Sequence, residues 1–399
     1  MTQRHGWIAY VGPFPFPSGT AGSRRMLGVA LSLAAAGRRV VVGSGDPSPT
    51  QPTPLGEGDP AGNIAYVGLG ESPAIGASVL RKAGRIFWSW GRRTVAWLDA
   101  QPVKPACVVV YGGSAQYLLR LLPWCRRHGV PLVADVVEWY DPRQMTGGRF
   151  GPFNLSAQWA LRRLYPRTDG VIAISRLLAD HYSETGRPVV RVPPTLDVHG
   201  IEPGAGSGRA DGAKLRLVYA GTPGKKDLLG NVIEGVEAVD PGGTQVELMV
   251  LGPSPDEVRS MLGGREIPRC VRAMGRVVQA EVAVYLASAD FSVLLREPAR
   301  FSNAGFPTKF VESMAHSTPV IANLTSDMAL FLHHGEEGLV CSDWSASAFS
   351  DALREALALA PTQLAAMRNA ARRQAERSFD YRGYSGALSE FLGRLQVGS

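Results

Sequence analysis

Residues 303–323 read NAGFPTKFVESMAHSTPVIAN, and they join a glycine/proline turn, an amphipathic helix and a β-branched strand. A helix entered from a tight turn presents unpaired backbone N–H groups and the positive end of its dipole, a setting that suits a phosphate. Lys309 and Glu312 stand three apart, so they share one helical face close to that anion site. Phe310, Val311 and Met314 take the apolar side and are read as core. Helix followed at once by the short apolar strand PVIA is the pattern of an α/β protein.

Working outward, 399 residues are too many for one ordinary domain and fit two. Apolar residues make up 45% and charged ones only 19%, which supplies core and argues against long disordered or coiled-coil segments. Cys107, Cys125, Cys270 and Cys341 lie far apart without C-x-x-C spacing, so neither a zinc site nor a disulfide framework is expected, and a reducing cytoplasm is. The opening MTQRHGWIAYVG lacks a signal-peptide pattern, and no run is apolar for long enough to cross a bilayer. Net charge is +7, carried by thirty-six arginines and six lysines. The arginines are scattered, which speaks against nucleic acid. Three of the six lysines, Lys225, Lys226 and Lys309, fall in phosphate-type motifs, where an ammonium is not interchangeable with a guanidinium.

Short apolar strands alternate with helices along nearly the whole chain. Strands are expected at 7–11, 39–43, 63–69, 107–111, 131–136, 170–174 and 189–192, with helices at 22–37, 79–100, 115–128, 153–165 and 176–185. A second strand series occupies 215–220, 245–251, 270–274, 291–295 and 319–322. Two such series predict two doubly wound domains, each with its ligand at the carboxyl ends of the strands. The glycine-rich 199–212 reads as the linker, and the Pro/Gly-rich 45–62 as an exposed crossover.

The second motif is YAGTPGKKD at 219–227, a strand running into a glycine turn with two lysines. It is neither a Walker loop nor G-x-G-x-x-G, and alone it could be an ordinary βα turn. Together with 303–323 it resembles the donor-binding half of the family 4 retaining glycosyltransferases, which have the GT-B fold. The resemblance covers most of the chain and is closest over 170–197, 217–230 and 270–345. It implies two Rossmann-like domains facing a central cleft, with the last helix crossing back to the first domain. The expected bounds are 1–200 plus 384–399 for the acceptor domain and 213–378 for the donor domain.

The family's residues carry over one by one. Gly221 and Lys226 match the positions that hold the donor diphosphate, while Thr222 stands where an arginine is usual and Lys225 is the candidate to replace that charge. Of the family's two glutamates eight positions apart, Glu312 remains for the ribose, and Ala304 takes the place of the one at the sugar. The hexose is then left to Asn303 and to backbone N–H groups at Phe306, Thr308 and Lys309. Arg276, in VRAMGRV, lies near the loop that reads the base. In the first domain the loop GPFPFPSGTAGSRR offers Gly19 and Gly22 for close approach, with Ser23 as the helix cap. In ADVVEWYDP, Val137 replaces the family's histidine, leaving Glu138 to orient sugar or acceptor, with Asp135 and Asp141 as lesser candidates.

The resemblance implies sugar transfer from a UDP- or GDP-type donor, without cofactor, by leaving-group stabilisation from Lys226 and Lys309. No D-x-D motif or histidine spacing suggests a metal. Assembly of a cell-envelope polysaccharide or lipid-linked glycan is one reading. Tailoring of a soluble secondary metabolite is another, suggested by Ala304 and Val137, and a non-catalytic nucleotide-sugar binder or an epimerase stays open. Helix 79–100 has arginines on one side and Phe87, Trp90 and Trp97 on the other. It could rest on the inner face of a membrane, making a cytoplasmic protein peripheral, or bury its aromatics on the sheet.

Overall fold

Runs such as VVVGS and CVVVY are dominated by β-branched side chains and are buried along their whole length, so helices must cover both faces of their sheet. The computed structural model describes residues 6–72, 84, 88–112, 114–145, 147–206, 213–223 and 226–396. The chain divides into two compact units, Met1–Leu196 with Tyr381–Ser399, and Asp197–Asp380.

The first unit holds strands β1 (Ile8–Val11), β2 (Val40–Ser44), β3 (Thr53–Pro54), β4 (Ile64–Gly68), β5 (Cys107–Tyr111), β6 (Leu132–Val136), β7 (Gly170–Ala173) and β8 (Val189–Arg191). They pair in the order β3-β4-β2-β1-β5-β6-β7-β8, and only the two-residue β3 runs antiparallel. Helices α1 (Ala21–Ala35), α2 (Arg92–Asp99), α3 (Ala115–His128), α4 (Pro152–Trp159) and α5 (Arg176–Ser183) connect them, and α4 continues as a π-turn over Ala160–Leu164.

The second unit has an all-parallel sheet in the order β11-β10-β9-β12-β13-β14. Its strands are β9 (Leu215–Ala220), β10 (Val246–Leu251), β11 (Val271–Gly275), β12 (Phe291–Leu294), β13 (Val320–Asn323) and β14 (Gly338–Cys341). The helices are α6 (Leu229–Val239), α7 (Pro255–Met261), α8 (Gln279–Ser288), α9 (Arg300–Ala304), α10 (Thr308–Ala315), α11 (Ala346–Ala358) and α12 (Pro361–Ser378). Strand order reverses between β9 and β12, and a reversal splays the flanking loops apart to leave a crevice at the strand ends. These are the two doubly wound domains that the alternation implied, and the Rossmann-like pair that the resemblance to the GT-B fold implied.

The last helix, α13 (Ser385–Gln396), belongs to the first unit's core. Leu388, Phe391, Leu392 and Leu395 pack with Ile172 and Val190, and a Cβ on Gly170 would stand 2.7 Å from the Phe391 ring. Within the first unit Tyr381 donates its N–H to Leu196 O at 3.1 Å, and within the second Val198 N–H donates to Asp380 Oδ2 at 3.1 Å.

Four local expectations need correcting. The cap of α1 is Thr20, with Ser23 three residues inside the helix completing a reciprocal capping box. Residues 79–83 and 85–87 lie outside the described residues, and α2 starts only at Arg92 because Gly91 takes φ 80°. The carboxylate of buried Glu71 accepts from the Arg93 and Thr94 N–H groups at that helix start, at 2.9 and 3.3 Å. Trp97 meets Trp7 edge-on at 5.7 Å, so this half of the expected helix buries aromatic surface on the sheet. The crossover 45–62 contributes β3 to the sheet edge, and β14 was not foreseen. Residues 198–206 are docked rather than free: Arg372 donates to Val198 O, Ile201 O and Ala315 O at 2.9, 2.8 and 2.6 Å, while Arg368 donates to Gly204 O at 2.8 Å.

Among the described residues no helix is long and apolar enough to cross a membrane. Phe391 is fully buried. Phe391→Ala should therefore lower stability by about 3–5 kcal/mol. Urea unfolding checks it, and a change below about 1 kcal/mol would show that α13 does not share this core.

Candidate functional site

The strand reversal in the second unit sets the two loops that follow β9 and β12 beside each other. Leu228 N–H donates to Leu295 O at 2.9 Å, and the side chains one residue away, Asp227 and Arg296, form an ion pair at 2.7 Å. Asn323, the last residue of β13, fixes the Arg296 backbone from both sides, accepting its N–H and donating to its carbonyl at 2.8 Å each. Lys309, in the first turn of α10, reaches into the same place. Its ammonium lies 2.6 Å from Asp227 Oδ2, donates to the Tyr219 hydroxyl at 2.8 Å, and sits 4.0 Å from the Tyr219 ring centroid. Tyr219 in turn donates to Asp227 Oδ2 at 2.8 Å.

One nearly buried carboxylate thus balances two cations. Asp227, Arg296 and Lys309 expose 5%, 11% and 18% of their side chains, so the excess positive charge has little water around it. Burial alone would raise the Asp227 carboxyl, but Arg296 and Lys309, with hydrogen bonds from Lys309 and Tyr219, hold it well below the usual carboxylate range. The Lys309 ammonium is pulled below the ordinary lysine value, first by burial and further by Arg296, against the attraction of Asp227. Burial and Asp227 push the Tyr219 phenol well above its ordinary value, so it remains a donor.

Lys309 also meets the glycine turn. A Cβ on Gly221, which takes φ 128°, would stand 3.2 Å from Lys309 Nζ. A Cβ on Gly252 (φ 124°) would stand 2.5 Å from Gly221 O, so the ends of β9 and β10 close tightly only without side chains. The turn of 219–227 and the start of α10 therefore share one spot. Pro307 supplies no side-chain cap to α10, and its carbonyl accepts the Phe310 N–H at 3.1 Å, so the Thr308 and Lys309 N–H groups are the ones open to another acceptor. Lys309, Glu312 and Ser313 line a small crevice with Val218, Ala220 and Leu294, at the reversal between β9 and β12.

The remaining candidates fall as follows. Thr222 is exposed beside Gly221, and half-buried Lys226 precedes Asp227 in the turn, while Lys225 lies outside the described residues. Arg276 is exposed just after β11. Thr308 is the first residue of α10. Asn303 accepts the Ser326 N–H at 2.9 Å and donates to Pro298 O at 3.4 Å, so its amide braces the loop. The Phe306 ring is buried among Phe310, Phe331 and Phe379, with centroids 5.8–6.0 Å away, which leaves only its backbone for a ligand. Ala304 is fully buried.

In the first unit, Gly19 (φ 114°) is exposed in the loop before α1, whereas Gly22 packs against the Tyr111 ring. Half-buried Glu138 follows β6, near enough to help raise the Tyr111 and Tyr140 phenols after burial has done so. Asp135 is structural: fully buried, it pairs with Arg25 at 2.8 Å and accepts from the Tyr10 hydroxyl at 2.5 Å. Asp141 caps the turn Pro142–Gln144 and pairs with Arg143 at 3.1 Å. Among the described residues, His333, Glu336 and Glu337 bring ligand atoms within 4.8 Å of one another, with two of the three exposed and Glu337 already accepting from His333.

Sequence reasoning missed the counter-charge. Asp227 stands beside two lysines in the chain and reads as their local partner, while Arg296 sits at a strand end 69 residues away. The available signal was only that both follow central strands, Arg296 two positions after β12 and Asp227 seven after β9.

Each of the two units is doubly wound, and the second carries an excess of positive charge at its strand reversal. Residues 22–199 match the family model described as Glycosyltransferase Family 4, and residues 214–358 the model described as Glycosyl transferases group 1. The chain belongs to the family 4 glycosyltransferases. No curated protein sequence matches it. Its fold is similar to sucrose-phosphate synthase from Thermosynechococcus elongatus, with TM-score 0.72 and 16% identity over 98% of this chain and 100% of that one. It is also similar to Anabaena HepE in complex with UDP and glucose, with TM-score 0.65, 15% identity and coverage of 98% and 100%. A lipopolysaccharide outer core galactosyltransferase, WaaB, gives TM-score 0.61 and 14% identity, covering 96% of this chain and 99% of that one.

Asp227→Asn should cost about 3–5 kcal/mol, because it leaves two cations without their carboxylate. The folded carboxyl titrates below its unfolded value of about 4, so its contribution is complete above that pH and is lost as pH falls through the folded value. Acid unfolding should therefore be steeper below about pH 4 for the wild type than for Asp227→Asn. Equal slopes would mean that the pair is not held as described.

Proposed function

We propose that the chain transfers a sugar, with retention and without a metal, from a nucleoside-diphosphate donor of the UDP or GDP type to an acceptor in cell-envelope polysaccharide or glycan assembly. The observation that carries this reading is the Lys309 ammonium, held over Gly221 by Asp227 beside the uncapped start of α10. The second unit, proposed as the donor domain, receives the diphosphate there, with Lys226 and the first N–H groups of α10 completing its contacts. Glu312 takes the ribose, and Arg276 borders the base. Because Ala304 is buried and without a polar group, the hexose is left to main-chain N–H groups around Phe306–Lys309.

In the proposed reaction the bond between the anomeric carbon and the diphosphate oxygen breaks as Lys226, Lys309 and the helix N–H groups stabilise the developing charge. A diphosphate oxygen accepts the proton of the acceptor hydroxyl, whose oxygen bonds to the anomeric carbon on the same face. Positioning and anion stabilisation then supply the rate enhancement, with no protein nucleophile. Glu138, on the proposed acceptor domain, orients the acceptor. HepE, bound to UDP and glucose, supports a uridine donor, and WaaB supports an envelope acceptor, each through a shared fold.

Lys226→Ala, Lys309→Met and Glu312→Ala should each lower turnover about 10²–10³-fold or more, with melting of the apo-protein by far-UV circular dichroism showing that Lys226→Ala and Glu312→Ala remain folded. Nucleotide release with a panel of UDP- and GDP-sugars measures turnover, and proton NMR of the product gives its anomeric configuration. Full activity of the Lys226 or Glu312 variant would remove those roles. An inverted product would remove the same-face mechanism, and loss of activity in chelator restored by a divalent ion would remove metal independence.

A further inference from the structure

Twelve large apolar side chains are strongly exposed among the described residues, and five of them fall in one region of the first unit. Three of the five are aromatic: Phe150, Trp88 and Trp159 are 81%, 75% and 46% exposed, against one exposed aromatic elsewhere. The other two are Leu119 and Leu155. A chain of hydrogen bonds shows that they are neighbours. Arg120 on α3 donates to Trp88 O at 3.0 Å and to Gln116 O at 3.1 Å. Gln116 then meets Ser156 of α4 at 2.9 Å, and Ser156 lies between Leu155 and Trp159. Phe150 stands just before α4, and Asn154 of that helix donates to Arg149 O at 2.8 Å.

The charge around this patch is predominantly positive. Residues 115–167 carry eight arginines and three acids. Of the acids, Asp135 is buried against Arg25, Asp141 is paired with Arg143 and Glu138 is half-buried, so the remaining arginines outnumber the acids and the outward field is cationic. The arrangement along the helices is also ordered. On α3 the exposed stripe runs Leu119, Pro123, then Arg126 and Arg127; on α4 and its π-turn it runs Leu155, Trp159, then Arg162 and Arg163. Arg162 follows Leu155 by seven positions. That is roughly 10 Å along the axis, similar to the 5–10 Å to which apolar side chains enter a headgroup region.

We propose that this face of the first unit docks on an anionic membrane surface, with Trp88, Phe150, Leu155 and Trp159 entering the acyl boundary and the arginines binding lipid phosphates. Side chains this exposed stand off the surface, a shape suited to a soft bilayer. An arginine guanidinium also binds phosphate through paired N–H groups. The surface differs from the donor site in place and in chemistry, so it holds whether or not that reading does.

The test uses the full chain and sedimenting vesicles of phosphatidylcholine, with or without phosphatidylglycerol, at low and high salt. The wild type should bind the anionic vesicles, bind neutral ones weakly, and lose affinity as salt rises. Phe150→Glu with Trp159→Glu should reduce binding at least about tenfold, and each of Arg162→Gln and Arg163→Gln by roughly fivefold. A uridine-diphosphate melting shift equal to that of the wild type shows that the glutamate variant is folded. If neither protein shifts, the donor reading fails while the vesicle result stands, and near-ultraviolet circular dichroism then reports the fold. Failure of the wild type to bind anionic vesicles, or equal binding by the glutamate variant, overturns the proposal. So does a wild-type dimer in light scattering that the glutamate variant dissolves, because the patch would then belong to a second copy.

Discussion

Asp227 is the point on which the second unit's site depends. Its carboxylate accepts from Arg296, Lys309 and Tyr219, three residues contributed by three separate segments of the chain. Two cations placed this close in a poorly hydrated crevice repel each other, and a single shared anion makes the arrangement tolerable. Lys309, the carrier of one of those positive charges, lies in the first turn of α10, whose start has no side-chain cap. The structural ion pair and the proposed diphosphate site thus share the same atoms.

The first unit has its own buried linkage at a comparable depth. Arg25 of α1 pairs with Asp135 of β6 and donates to Val192 O and Pro193 O at 2.6 and 2.7 Å, tying together helix, central strand and the end of β8. Burial works against the guanidinium, but Asp135 more than offsets it and its value is raised. With every group satisfied, this linkage fixes geometry and is closed to a ligand. The contrast with Asp227, where one charge is left over, separates a structural network from a candidate binding one.

Much of this was legible in the chain. Alternation of β-branched runs with amphipathic stretches gave the architecture, because fully buried parallel strands leave an apolar signature at every position. Lys309 and Glu312 could be placed on one helical face, since spacing along a helix is local information. Asp227 and Arg296 could not be paired, because their meeting depends on strand order, which no local pattern encodes. Asn303 shows the converse: its polar side chain in a ligand-type turn is used to hold Ser326. The glycine-rich 199–212 read as a free tether, yet its first part is held by Arg368 and Arg372 from α12, well over 150 residues further on.

The return of α13 to the first core has a practical meaning for anyone dissecting the molecule. The second unit is continuous from Asp197 to Asp380 and could be produced by one gene fragment. The first unit is not contiguous: a fragment ending at Leu196 would lack Leu388, Phe391, Leu392 and Leu395 and would expose their apolar seat on β7 and β8. A proteolytic clip near the carboxyl end would therefore injure the half of the protein that lies farther away in sequence, and recombining halves between relatives requires three segments to be exchanged, not two.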